Sequence, residues 1–202
     1  VRPLPSQKVT EEDVENMRNE ARFLVAYYYW LLIEAYGPVP FTDKIVTADE
    51  NLLKERRPFD EIVAWIDNEL KEVSNELPDS YSDGSKFGRA TSVMALAVRA
   101  RMLLFAASPL VNGNKDYDGF VNSLGEPLFN TTYDPQKWVK AADACKELID
   151  VAHTAGHDLY YEYNEDGSID PFLSYQNMMF RKTTDGNKEI LFARPDNNHW
   201  EY

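Results

Sequence analysis

Proline and glycine punctuate this chain at positions that leave room for helices and for little else. Pro38, Pro58, Pro78, Pro109 and Pro135 bound three long stretches. Proline lacks a backbone N–H and is tolerated at a helix start or just past its end, not inside. A fourth stretch precedes Gly37-Pro38 and is the longest. It is predicted as a helix over about 10–36: Thr10 is a good N-cap, Asp13 follows three residues later, and Glu11 and Glu12 suit the positive end of the helix dipole. Val14, Met17, Ala21, Leu24, Tyr28, Leu31 and Leu32, with Ala35 beyond, repeat at helical spacing and form the expected core stripe. Tyr27-Tyr28-Tyr29-Trp30 covers the whole circumference, so some rings should pack inside and others against neighbouring elements.

Three more helices follow. The second, about 58–77, carries Ile62, Ile66, Leu70, Val73 and Leu77 on one stripe with Trp65 beside it. The third, about 89–108, is apolar nearly all round except for Arg99 and Arg101, which predicts a central helix packed on several sides. The fourth, about 134–155, opens on Asp134-Pro135 and has the stripe Trp138, Ala141, Ala142, Cys145, Leu148, Ile149 and Ala152. A loop over 109–133 separates the last two; loops of that length are often functional. Residues 1–9 read as an extended lead-in and 157–202 as loop-rich, with one strand candidate at Glu189-Ile190-Leu191-Phe192-Ala193. The fold class is therefore all-α for the most part, with long loops and minor β structure near the C-terminal end.

Composition excludes several classes of function. Charged residues make up 27% and apolar residues 44%, which is globular. The net charge of −13 comes without a basic stripe, which argues against nucleic acid as a partner. The longest apolar stretch, Phe23 to Ile33, is too short for a membrane span. One cysteine, Cys145, rules out an internal disulfide framework and reads as an inert thiol on a helix stripe. No catalytic motif is present, and no cofactor or metal is expected. His153 and His157 are one helical turn apart but lack a third ligand. Asn112 to Gly119 looks like half of a calcium loop, yet the position an EF-hand fills with a bidentate Glu is Gly125. Asp60, Glu61, Glu69 and Glu72 read as solvated helix faces.

Aromatic residues outside the helices carry the functional signal. Tyr160, Tyr161, Tyr163, Phe172, Tyr175, Trp200 and Tyr202 share the final segment with Gln176, Asn198 and His199. Aromatic faces stack on sugar rings while amides and imidazoles bond the hydroxyls. Trp200, Tyr202, Asn198, His199 and Tyr175 are the candidate ligand-binding residues. The plainer alternative is that these rings cover the helices as a small second core.

Six segments in order resemble one known family. They are Glu20 to Pro40, with its Tyr-Tyr-Tyr-Trp and Tyr-Gly-Pro-Val-Pro; Arg57 to Pro78; Gly88-Arg-Ala-Thr91 with Ala95 to Leu104; Ser108 to Asn114; Tyr133 to Asp143; and Asn187 to Ala193. Together they resemble the SusD/RagB family of outer-membrane nutrient-binding lipoproteins. The resemblance implies irregular tetratricopeptide-like helix pairs and non-catalytic binding of oligosaccharide or polysaccharide. It also implies delivery to a SusC-type TonB-dependent transporter, at the outer-membrane surface, with a lipid anchor on a cysteine upstream. It leaves open a peptide ligand, as in RagB-like relatives, or a helical scaffold that mainly docks the transporter. A helical glycoside hydrolase is the remaining enzyme reading. The chain looks like an internal fragment of such a protein.

Overall fold

The computed structural model describes residues 9–42, 44, 45, 47, 49, 53–81, 86–182 and 187–192. It is mostly helical: α1 (Glu11–Tyr36), α2 (Phe59–Glu76), α3 (Ser92–Ala107) and α4 (Gln136–Thr154), then a two-stranded hairpin of β1 (Glu162–Tyr163) and β2 (Ile169–Asp170), then α5 (Pro171–Met178). Each of the first three helices packs chiefly on the next. This nearest-neighbour order is the logic of helix-pair repeats.

Local chemistry sets the helix ends. Thr10 accepts from the Asp13 backbone N–H at 3.1 Å, and Asp13 accepts from Thr10 N at 2.8 Å, a reciprocal capping box. The Thr10 contacts hold the Asp13 carboxyl below its ordinary range. Gly37 closes α1 at φ 67°. Thr91 caps α3 through the Met94 N–H, so that helix starts later than the sequence suggests.

Helix α3 is the centre, with ten apolar or small side chains from Val93 to Ala107 buried between α2 and α4. From α2 come Ile62, Ile66, Leu70 and Val73 of the predicted stripe, with Leu77 just beyond the helix, and Phe59, which that stripe did not include. For α1 the stripe is corrected. Phe23, Ala26, Trp30 and Ile33 are buried, whereas Met17, Leu24, Tyr28, Leu31 and Leu32 are 38–57% exposed. The helix has two apolar faces, and the larger rings occupy the inner one. In α4 the buried face is Ala141, Ala144 and Ala152 with Cys145 and Leu148 half-buried, while Trp138 and Ile149 point outward. Small residues there let α4 approach α3 closely.

Charge ties the helices together. Arg99 donates to Asp67 at 2.7 Å and to Glu147 at 2.8 Å, linking α3 to α2 and α4. Lys140 completes the pairing of Asp67 and Lys71 that of Glu147. Arg22 on α1 holds Glu69 at 2.6 Å and Glu72 at 2.8 Å on α2, and hydrogen bonding to Glu69 raises its pKa further. Lys137 holds Asp60 at 2.6 Å. Of the carboxylates expected on solvated faces, Asp60, Glu69 and Glu72 thus act as inter-helix clamps, while Glu61 is exposed and pairs locally with Arg57.

The 109–133 segment folds back rather than standing free. Buried Asn112 donates to the Ala107 and Asp134 carbonyls and accepts from Asp134 N at 2.9 Å, so its amide joins the end of α3 to the start of α4. The Asn112 side chain thus serves the fold itself, tying the loop down at both ends. Gly113, at φ 78°, lies against the backbone of Tyr133, where a Cβ would come within 2.7 Å of Cα. Gly113→Ala is expected to destabilise the protein by about 1–3 kcal/mol, since a strained φ and a backbone clash coincide; urea unfolding measures it.

The strand expected at Glu189–Ala193 is not formed over its described part, 189–192. Among the described residues no neighbouring strand offers it a ladder. Phe192 instead packs edge-on to Phe23 and Tyr27 of α1. The segment expected to be loop-rich contains α5 as well as the hairpin.

Candidate functional site

Of the five candidate ligand residues, Tyr175 lies in α5 and is 77% exposed. Asn198, His199, Trp200 and Tyr202 lie outside the described residues. The elements around Tyr175 are well built. Asp170 caps α5 by accepting from the Phe172 and Leu173 N–H groups, both at 2.9 Å, and Pro171 takes the first turn. Buried Ser174 ties the helix to the hairpin by accepting from Glu162 N at 2.8 Å. Phe172, Tyr175 and Met179 then fall on one outward face, each more than 70% exposed, with Phe180 beside them. Tyr161 and Tyr163 lie with ring centroids 6.4 Å apart.

A polar cluster stands behind this aromatic face. Glu162 accepts from the Tyr160 hydroxyl at 2.5 Å and from Asn177 at 3.0 Å, with Arg181 at 3.5 Å. The Tyr160 hydrogen bond, with Asn177 and Arg181 adding to it, holds the Glu162 carboxyl below its usual range, so it stays ionised at neutral pH. The same bond raises the Tyr160 pKa. Glu165, Asp166 and Asp170 bring further negative charge to the hairpin. Such a face suits a neutral, stacking ligand and disfavours an anion.

A second arrangement was not anticipated from sequence. The chain leaving α1 turns at Gly37-Pro38 and lays Phe41 between Tyr29 of α1 and Trp65 of α2. The Phe41 ring is 4.8 Å from Tyr29 and 4.9 Å from Trp65, edge to face with the indole. Thr42 N–H donates to the Tyr29 hydroxyl at 2.9 Å, which in turn donates to the Thr42 carbonyl at 3.0 Å, fixing the segment. Beside these rings opens a cavity of about 650 Å³ lined by Phe41, Thr42, Lys44, Lys54, Arg57, Glu61, Ile62, Ala64 and Trp65. Arg57 sits 6.0 Å from the Phe41 centroid and 3.6 Å from Glu61. Aromatic and aliphatic walls with a few polar groups, at this volume, are the usual character of a small-molecule site. The available signal was Trp65 lying off the α2 core stripe.

The histidine pair has no metal-site geometry. His157 Nδ1 is 2.9 Å from the Lys188 carbonyl and His153 is exposed. Among the described residues no group of three His, Cys, Asp or Glu side chains is placed to hold a metal ion. Among the same residues no helix is long and apolar enough to cross a membrane.

Comparison with known proteins gives a consistent picture. The SusD-like family, described as "Starch-binding associating with outer membrane", matches residues 3–104. The starch-binding protein SusD of Bacteroides thetaiotaomicron is 29% identical over 112 residues, covering 55% of this chain and 19% of that protein. The solved structure of BT4246 is 33% identical with a TM-score of 0.79, covering 96% of this chain and 37% of the other. A SusD-like protein (BF3747) from Bacteroides fragilis shares the fold at 23% identity and a TM-score of 0.61, over 94% of this chain and 30% of that one. This chain therefore spans well under half the length of these relatives.

Proposed function

Because the chain belongs to the SusD-like family, we propose that it is part of a protein that binds glycans without catalysis at the bacterial outer surface and passes them to a SusC-type TonB-dependent transporter. A lipid on a cysteine upstream of this chain would hold the protein to the membrane. The observation that carries the glycan reading is the aromatic-walled cavity beside Phe41 and Trp65, rimmed by charged and hydroxyl side chains. A sugar presents an apolar face to stack on a ring and hydroxyls to bond the rim. The exposed Tyr175 face is a second proposed contact, and Asn198, His199, Trp200 and Tyr202 are proposed to extend it on the strength of their residue types.

Calorimetric titration of the full-length protein against plant, fungal and host glycans, with a peptide pool beside them, tests this. Saturable binding to one glycan class is the expected result. Heat from the peptides alone would move the protein to a peptide-binding role. Silence on both would leave a helical scaffold that docks the transporter. Trp200→Ala is expected to weaken glycan binding by about 1–3 kcal/mol, by analogy with base stacking on aromatic side chains; unchanged affinity would remove Trp200 from the site.

A further inference from the structure

Helix α1 opens the array, and its outward face is the wrong kind of surface for an end. The buried stripe of Phe23, Ala26, Trp30 and Ile33 faces α2 and α3, with Trp30 edge-on to Phe105. A second apolar stripe runs about 160° round the same helix: Met17, Ala21, Leu24, Tyr28, Leu31 and Ala35, all exposed. Its steps alternate between four and three residues over about 27 Å, the seam that one helix offers another. Val25 and Leu32 widen it, and among the exposed positions from 17 to 36 Arg18 alone is charged. Phe192 packs on Phe23 and Tyr27 and closes one edge of the stripe, while its middle stays open.

We propose that this stripe is the seat of a further helix of the same polypeptide, lying N-terminal to α1, so that α1 is an interior member of a longer array. In stacked helix pairs each unit covers its neighbour, and an end unit needs a polar outer face to stay soluble. Helix α4, the last of the four, meets that need by exposing Lys140, Asp143, Lys146 and Asp150. Helix α1 does not. The order of packing chooses the occupant. From α1 through α4, neighbours in sequence are neighbours in space, so the place on the free side of α1 belongs to the element that precedes it. There is chain enough for it in the relatives, since this chain covers 37% of BT4246. The chemistry of the face agrees. A permanent interface resembles a core cut in half, whereas a transient docking surface is more polar. A seam of aliphatic and aromatic side chains with one charge at its edge is of the first kind.

The full-length protein, alone and dilute, supplies the test. Leu24→Cys and Leu31→Cys are labelled with a maleimide beside Asp143→Cys on the exposed face of α4, and each site is followed by mass spectrometry. The two stripe positions are expected to react roughly 100-fold or more slowly than the control, as packed positions open rarely, and at the control rate in urea. Labelling at the control rate in the native protein would overturn the proposal, because the face would then be bare. Protection that appears only when the transporter is added would overturn it in favour of a docking surface. Protection that disappears on dilution would overturn it in favour of a second copy. Tyr28 replaced by benzoylphenylalanine then identifies the cover. Its photo-adduct is expected within the same chain, N-terminal to Glu11, in a segment whose apolar residues recur every three or four positions. An adduct C-terminal to α4, or in a segment without that period, would overturn the assignment of the occupant. Circular dichroism and size-exclusion chromatography confirm that each variant is folded and monomeric before labelling.

Discussion

Replacing Asp67 with alanine is expected to destabilise the protein by about 3–5 kcal/mol, the cost of breaking a buried ion pair from one side. The side chains of Asp67 and Arg99 are only 10% and 12% exposed. Arg99 sits on the largely apolar helix α3 and reaches α2 through Asp67 and α4 through Glu147. Truncating Asp67 leaves that guanidinium among apolar neighbours with half its partners, and Lys140 loses its partner as well. Glu147 remains, so the loss should fall toward the lower end of the range. Removing both charges is a different matter. Asp67→Leu combined with Arg99→Met should recover much of the stability, because a well-packed apolar pair carries no desolvation cost. Urea unfolding of the two single variants and the double variant gives the coupling directly. If the single variant costs under about 1 kcal/mol, the network behaves as a surface pair and does not tie the three helices together.

This network shows where sequence reading stops. Periodicity and punctuation located α1 to α4 to within a few residues, because caps, prolines and one buried stripe act locally. They gave α2 its core face and α3 its central position. They put the wrong stripe of α1 inside, because that helix carries apolar residues on two faces. Only the partner helices decide which face is covered, and Phe23 and Trp30 fill more space than Met17 and Leu24. Local signals for the C-terminal elements were also present. Asp170-Pro171 repeats the Asp134-Pro135 helix start, and Asp166-Gly167 is a hairpin turn signature. The eight-residue α5 is too short to declare a period of its own. The strand expected at 189–193 had suitable residues but, among the described residues, no neighbouring strand, and pairing is not a local property. The Phe41–Trp65 cavity needed three separate segments brought together, so no single stretch advertised it.

Truncating Phe129 to alanine is expected to cost about 3–5 kcal/mol, the usual range for emptying a buried aromatic site. The sequence reading treated 109–133 as a loop of functional length, and docking of a partner was one use for it. In the structure the segment is held as part of the core. Phe129 is 7% exposed and stacks on Tyr117 at 4.0 Å and on Phe59 of α2 at 5.3 Å, with Phe120 at 6.3 Å. Its neighbour Leu128 accepts from Phe59 N–H at 2.9 Å, one of the donors that the helix start would otherwise leave unpaired. Asn122 donates to the Arg56 carbonyl at 3.3 Å, and the backbone N–H of Ser123 donates to Glu55 at 3.2 Å. Losing Phe129 therefore removes the ring packing that, beside these hydrogen bonds, joins the loop to the entry of α2. Because Arg57 and Glu61 flank that entry and line the cavity, the same variant should also weaken glycan binding there. Shortening residues 112–126 to test transporter docking would delete Asn112 and Asn122 together and unfold what it meant to probe. Exchange of exposed Leu124, 72% accessible, for a charged residue tests docking without touching the fold. If Phe129→Ala leaves unfolding unchanged and alters only capture of the transporter, the loop is an interaction surface rather than a structural one.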